Sequence, residues 1–388
     1  MRCPAVRAFM GCVAIGSMFS LPVFVQPMAL ATGWSRTGIS TPMTITFIPT
    51  GLASFGWGMT MDRFGPRVVL LSGGFLPGLG LMLASRASSV LEFQVLLGCL
   101  GGAGGGAIFA PSMATVTGWF DRQRSLAVSL VSAGMGVAPL TVAPLATRLV
   151  TVYDWRTAMG IVAAMVWVLL LPAAFAIRRS PALPASRTAT APRPSARAAL
   201  RSPQFIVLAR TYFMCCATHS GPLFHTVSDA IRCGLPVMVA VTIYRVEGLA
   251  GLKGRVVFGL MGDRFGAKRV LVMDLLIQAF AAGSYFLVRE QAGFYPFASI
   301  FGLAYARVMP LYAVLARETF PLPIMGTTIG AVAQASGLGL GLGAAAVMTT
   351  FRPQCPPRHR FRPRRRRHAA TASQPPGDRD YLAPRRVM

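Results

Sequence analysis

Eleven stretches of about 20 residues, apolar and almost free of charge, follow one another along this chain and leave it little choice of solvent. A helix rises 1.5 Å per residue, so each stretch is long enough to cross the ~30 Å hydrocarbon core of a bilayer. The blocks fall at 9–31, 43–61, 68–86, 93–118, 124–147, 157–177, 204–230, 235–258, 269–288, 293–316 and 324–349. Charged residues are 13% of the chain, about half of what a soluble surface of this size carries, while hydrophobic residues are 54%. Glycines recur inside the blocks, as at Gly101, Gly102, Gly104, Gly105 and Gly106. In lipid they are tolerated because no water competes for the backbone and small residues let helices approach closely. The expected fold is an all-α membrane protein.

The net charge of +26 is unevenly spread. Eleven of the 38 Lys and Arg follow Phe351, six lie between Arg178 and Arg201, and the rest punctuate short loops. That is a topogenic pattern and not the basic face of a nucleic-acid binder, so no nucleic-acid partner is expected. Loops after even-numbered blocks carry Arg63 and Arg67, Arg122 and Arg124, the Arg178–Arg201 cluster, Arg264, Lys268 and Arg269, and Arg317. Loops after odd-numbered blocks carry mostly single charges, with Arg148 and Arg156 the exception. The even side and the N-terminus are therefore expected in the cytoplasm, in a multi-pass protein of the inner (plasma) membrane. Arg2 and Arg7 before the first block mimic a signal peptide, but the block lacks a cleavage site and reads as the first span.

Chemistry on the chain itself is sparse. The seven cysteines are scattered without a CxxC pair, so neither a disulfide framework nor a metal site is expected. No nucleophile–base pair, paired carboxylates or phosphate-cradling glycine loop is evident, so the chain reads as no enzyme and as needing no cofactor.

The segment 178–203, rich in Pro, Ala, Arg and Ser and lacking an apolar period, reads as a cytoplasmic linker. It divides an N-terminal bundle of six spans (1–177) from a C-terminal bundle of five (204–349), and a basic, disordered tail occupies 350–388. An internal repeat supports two related halves. Gly58-Met59-Thr60-Met61-Asp62-Arg63-Phe64-Gly65-Pro66-Arg67 joins blocks 2 and 3, and Gly259-Leu260-Met261-Gly262-Asp263-Arg264-Phe265-Gly266-Ala267-Lys268 joins blocks 8 and 9. Two copies of G-x-x-x-D-R-x-G-x-[RK] at matched positions are hard to obtain by chance.

The paired turns resemble the signature loop of the major facilitator superfamily. Gly33-Trp34-Ser35-Arg36-Thr37, Trp119-Phe120 with Arg122 and Arg124, and Asp154-Trp155-Arg156 are similar to stretches of its monocarboxylate and oxalate–formate branch. So are Gly221-Pro222 with His225, Met309-Pro310-Leu311-Tyr312, Ala316-Arg317-Glu318 and Met325-Gly326-Thr327, and the likeness covers about residues 5–345. The resemblance implies two helical bundles around a midplane solute site exposed alternately to each side, driven by a gradient. The family has twelve spans where this chain shows eleven. Gly134-x-Gly136-x-x-Pro139 matches only in part the antiporter pattern of drug exporters.

In the turns, Gly65 and Gly266 supply backbone freedom, while Arg63, Arg67, Arg264 and Lys268 are suited to hold the turn at the membrane face beside lipid phosphates. Asp62 and Asp263 stand at helix ends, where a carboxylate caps exposed N–H groups or meets an Arg. With Gly58 and Gly259 they form the expected gating loops. Ionisable residues deep in a span are expensive and mark function. Arg245, ten residues before Arg255 or ~15 Å along the helix, is the leading cation for a solute carboxylate. Gln26, Arg307 and Gln334 are further candidates for the solute site, and Glu247 and His225 for proton coupling.

The partners expected are thus the bilayer, a small carboxylate solute, and a proton or counter-anion, with the protein acting as a monomer. Efflux of drugs or other small solutes is the alternative within the superfamily; a non-transporting sensor or an inactive truncated product is the alternative outside it. The Arg/Pro-rich residues after Phe351 cannot form a twelfth span. They read either as the sequel of a block 11 that fails to cross or, preferably, as a reading frame lost near Ala344–Phe351.

Overall fold

In the computed structural model the described residues are 2–18, 20–120, 123–175, 177, 195–232, 235–285, 291–305 and 308–350, and they are helical almost throughout, without a strand. The tail and most of the expected linker lie outside them. The first six blocks become α1 (Arg2–Met18) with α2 (Leu21–Thr32), α3 (Arg36–Ile45) with α4 (Phe47–Phe64), α5 (Pro66–Ala84), α6 (Val90–Val95) with α7 (Gly101–Trp119), α8 (Arg124–Val152) and α9 (Trp155–Phe175). A π-helical turn over Leu96–Leu100 joins α6 to α7. The short α10 (Ala196–Leu200) precedes the second set. That set is α11 (Pro203–Arg232), α12 (Val237–Phe265), α13 (Ala267–Tyr285), α14 (Gln291–Tyr305) with α15 (Val308–Thr319), and α16 (Met325–Thr350).

Local chemistry explains the breaks. Between α1 and α2 the hydroxyls of Ser17 and Ser20 turn back onto the carbonyls of Ala14 (2.8 Å) and Ser17 (2.7 Å). Pro22 stands in the first turn of α2, where no N–H is needed. Gly33, left-handed at φ 73°, ends α2 and donates its N–H to the Ala29 carbonyl at 3.1 Å. Trp34 then packs between Phe93 (centroids 6.0 Å) and Trp155 (6.3 Å). Arg156 lies over the Trp155 ring at 4.5 Å and donates to the carbonyls of Ser85 (2.9 Å) and Ala87 (3.1 Å). Asp154 opens α9 by accepting from the N–H groups of Arg156 (3.0 Å) and Thr157 (3.2 Å). Hydrogen bonds from the side chain and N–H of Thr157, with that of Arg156, hold its carboxyl below the usual carboxylate range. Two motifs far apart in sequence thus form one clasp across the ends of α2, α5, α6 and α9.

In the first bundle α1 packs on α8 and α9, α5 on α7 and α9, and α4 on α7; in the second, α11 packs on α16 and α12 on α14. One buried cluster fills the first bundle, with Met10, Phe24, Phe93, Trp155 and Val162. Another crosses between the halves and joins Met113, Val128 and Met135 to Tyr212, Leu311, Tyr312 and Ile329.

By length and apolarity alone, five helical runs among the described residues qualify as membrane spans: Val6–Thr32, Pro66–Ala84, Val90–Trp119, Trp155–Phe175 and Gly293–Thr319. Of the other long helices, α12 and α13 are richer in polar residues. α12 carries Arg245, Glu247, Lys253 and Arg255, and α13 carries Asp274 and Gln278. Glu247, Asp274 and Gln278 are buried against other helices, so these spans look least apolar where their polar groups face protein.

Candidate functional site

The two bundles meet along two seams, α4 against α16 and α8 against α12. Each seam ends at one of the repeated turns. Asp62 reaches across to the first turn of α16: Oδ1 accepts from the Gly326 N–H at 2.8 Å, and Oδ2 from the N–H and hydroxyl of Thr327, both at 2.7 Å. Asp263 reaches across to the first turn of α8, accepting from the N–H groups of Ser125 (2.8 Å) and Leu126 (3.0 Å). A helix N-terminus offers unsatisfied N–H groups and the positive end of its dipole, so each carboxylate meets the charge it needs. Asp62 is half-buried and Asp263 exposed.

Both turns hold their glycine at positive φ, 91° at Gly65 and 90° at Gly266, in backbone space that side chains avoid. Arg63 lies over Phe64 (5.2 Å) and Arg264 over Phe265 (5.5 Å), and the two rings are 53% and 51% exposed. Arg67 donates to the Phe175 carbonyl at 3.0 Å and closes the end of α9. Lys268 is exposed.

The seams themselves follow the repeat. Residues 58 and 62 correspond to 259 and 263 at an offset of 201 positions, and the same offset carries 125 and 129 of α8 onto 326 and 330 of α16. A Cβ at Gly58 would strike the Gly326 carbonyl, and one at Gly259 would press on Ser129. One turn further along, the correspondence breaks. Position 54 is Ser, and its carbonyl lies where a Cβ at Gly330 would have to go. Its counterpart at 255 is Arg.

Arg255 Nε donates to Ser132 Oγ of α8 at 3.1 Å, and a Cβ at Gly136 would run into the Arg255 guanidinium. The α8 face that meets α12 is therefore Ser125, Ser129, Ser132 and Gly136, a helical stripe of small residues with a notch at its end. Two turns beyond Arg255 on the same face of α12, Gly248 is exposed, and a methyl there would meet nothing within 4 Å. On the other seam Gly51 abuts Gly337, and Ile48 covers Gly341.

Behind Arg255, Glu247 is 1% exposed, and neither carboxylate oxygen has a hydrogen-bond partner among the described residues. It faces α14, whose Gly302 lies against the Glu247 backbone. Further into the bundle Gln278 donates to the Cys215 carbonyl (3.0 Å) and lies 3.1 Å from His219 Nδ1, while its Oε1 accepts from the Cys215 thiol (3.2 Å). With the Gln278 amide donating, His219 accepts at Nδ1 and is neutral, its proton on Nε2.

The other expected site residues are dispersed. Arg245 is exposed on α12, and Gln26 is exposed on α2. Gln334 is half-buried on α16. Arg307 lies outside the described residues, as does the side chain of His225 within α11. The residue that sequence reasoning passed over is Arg255. Its signal lay in the repeat, where an Arg replaces Ser at the matched position of an otherwise similar helix end. Among the described residues no group of His, Cys, Asp or Glu is arranged to hold a metal ion.

Two repeat-related helical bundles joined by twin carboxylate-to-helix contacts define a polytopic membrane protein of transporter type. A family model described as the Major Facilitator Superfamily matches residues 8–344. Bovine (Bos taurus) monocarboxylate transporter 13 is 31% identical over 201 residues, 52% of this chain and 47% of the relative. MFS transporter asaE of Aspergillus flavus is 26% identical over 318 residues, 79% of this chain and 71% of the relative. The agnestins efflux protein AgnL12 of Paecilomyces divaricatus is 28% identical over 276 residues, 71% of this chain and 63% of the relative. The chain thus spans about half the length of the bovine relative and more of the two fungal ones. Among solved structures, FucP in the outward conformation superposes with a TM-score of 0.70 at 13% identity, over 90% of this chain and 92% of that one. The proton:xylose symporter XylE superposes at 0.68 and 16%, over 90% and 88%. The chain belongs to the Major Facilitator Superfamily. It is a multi-pass membrane protein.

Proposed function

We propose that the chain is a secondary active transporter of a small monocarboxylate or dicarboxylate, working by alternating access, with Arg255 as the cation that meets the solute. The observation that carries this reading is an Arg at the seam between the bundles, at the position where the repeat has Ser and two turns from the exposed Gly248. A guanidinium in a site sheltered from water is suited to a carboxylate, which it grips with two parallel N–H bonds. A pocket for an apolar drug has no use for a fixed cation at its floor. The relatives named as monocarboxylate transporters support the same class. Arg245, two to three turns away on an exposed face, is the competing cation.

In this reading Glu247 carries the coupled proton. A buried carboxylate with neither oxygen partnered among the described residues is costly when charged, so its protonation responds to any cation or water that reaches it. The Asp62 and Asp263 contacts act as latches that hold the repeated-turn side shut and part when that side opens. The charge bias of the loops puts that side in the cytoplasm of an inner-membrane protein, with the N-terminus inside and a monomer as the working unit.

The test is uptake of a panel of carboxylates into proteoliposomes, with and without a pH gradient, for the wild type, Arg255→Ala and Arg245→Ala. Loss of two charge-assisted hydrogen bonds predicts a fall in kcat/KM on the order of 100-fold for Arg255→Ala. Unchanged carboxylate uptake in Arg255→Ala would show that the solute is not held there, and a loss confined to Arg245→Ala would move the site along α12. Glu247→Gln is expected to remove the stimulation by a pH gradient while leaving counterflow intact. The efflux relative from Paecilomyces divaricatus favours a second reading, export of a larger organic acid by the same site, which the direction of the stimulating gradient distinguishes.

A further inference from the structure

We infer that Ser132 and Gly136, on the bundle opposite to Arg255, are positioning residues that set where its guanidinium stands and thereby which carboxylates fit. The inference rests on the proposed role of Arg255. The solute cation is rooted in the second bundle but seated on the first. Ser132, 4% exposed, takes the Nε–H at 3.1 Å and so fixes the plane of the guanidinium. Gly136, one turn on, offers bare main chain where any Cβ would collide with the guanidinium. An arginine side chain has several rotatable bonds, and the seat on α8 narrows where its head group stands. With the seat, it is drawn back against α8.

Two consequences follow from that geometry. Because Ser132 is the acceptor for Nε, losing its hydroxyl frees the guanidinium plane and weakens every carboxylate alike. Because Gly136 is a notch, filling it pushes the cation off α8 towards the solute and shortens the room in front of it. The first change acts on affinity and the second on size preference. The seat exists only while α8 and α12 are together, since its two halves belong to different bundles. The matching position of the other seam, Ser54, has no long side chain to seat, and the facing Gly337 and Gly330 pack on main chain instead.

The experiment uses the full-length protein in proteoliposomes with labelled acetate, butyrate and succinate, and compares wild type with Ser132→Ala, Ser132→Thr and Gly136→Ala. Ser132→Ala is expected to raise KM about 5–10-fold for all three solutes with kcat nearly unchanged, the loss of one hydrogen bond to a charged group. Ser132→Thr, which keeps the hydroxyl, is expected to restore KM. Gly136→Ala is expected to shift the ratio of kcat/KM for acetate over butyrate and succinate by 10-fold or more towards acetate. A Ser132→Ala that lowers kcat at constant KM, or a Ser132→Thr that behaves as Ser132→Ala, overturns the positioning role. An unchanged size preference in Gly136→Ala does the same for the notch. If Gly136→Ala fails to accumulate in the membrane, the Ser132 pair decides alone. Indifference of carboxylate uptake to Arg255→Ala is a separate outcome, and it removes the solute site itself.

Discussion

The two seams are built to one plan and finished differently. On α4 and α16, glycine meets glycine and carbonyl from Gly58 to Gly51, and a half-buried Asp62 takes three donors from α16. On α8 and α12, serines meet glycines, an exposed Asp263 takes two donors, and Gly248, two turns beyond Arg255, is exposed. A repeat alone would make the seams equal partners in any motion. The difference fits separate duties in the proposed reading: α4–α16 is the tighter closure, and α8–α12 is the seam that holds the proposed solute cation.

The sharpest way to break that comparison is to add one methyl to each seam. Gly58→Ala sets a Cβ against the Gly326 carbonyl with no side chain to rotate away, so it is expected to cost about 2–3 kcal/mol and to abolish uptake. Gly259→Ala presses on the Ser129 side chain and the Leu126 main chain, but less closely than a Cβ at Gly58 presses on the Gly326 carbonyl, and is expected to keep more activity. Uptake rates and thermal midpoints in detergent measure both, and equal losses would deny the asymmetry. A smaller effect is expected from neutralising the latches. Asp62→Asn gives up a half-buried carboxylate with three donors and is expected to destabilise the shut form by about 2 kcal/mol, whereas Asp263→Asn, exposed and screened, costs under about 1 kcal/mol. Labelling of a single cysteine placed in the seam reports the shut fraction of each. The smallest expected effect separates the donors: Thr327→Val removes one hydroxyl from Asp62 and costs about 1 kcal/mol, while Ser125→Ala leaves both N–H donors to Asp263 in place and is expected to be silent.

Much of this architecture is legible in the sequence because a bilayer imposes length. A block of 20 apolar residues becomes a span whatever its neighbours do, and the helix ends at Gly33, Gly65 and Gly266 are written as glycines at turns. What the sequence conceals is rotation about each helix axis. Lipid and protein interior are equally apolar, so no stripe of hydrophobicity says which side of α12 faces α8. Arg245 and Arg255 consequently look alike from sequence, one exposed and one seated on the opposite bundle. The partners of Asp62 and Asp263 are equally hidden, because they are backbone N–H groups 264 and 138 residues away that leave no mark of residue type. Kinks fare little better. Pro22 and Pro27 announce some irregularity in the first span, but the Ser17–Ser20 break and the π-helical turn before α7 depend on hydroxyl and carbonyl geometry that composition does not encode.

The contact between α4 and α16 is made largely of glycine and main chain, and under the proposed alternating access that has a thermodynamic meaning. A seam of leucines or lysines freezes rotamers each time it closes and releases them each time it opens, at up to ~2 kcal/mol per long side chain. Gly51, Gly58, Gly326, Gly330 and Gly337 have no rotamers to freeze. In the proposed cycle these five positions meet at van der Waals distance, turnover after turnover, and exchange no side-chain rotamer entropy between the states.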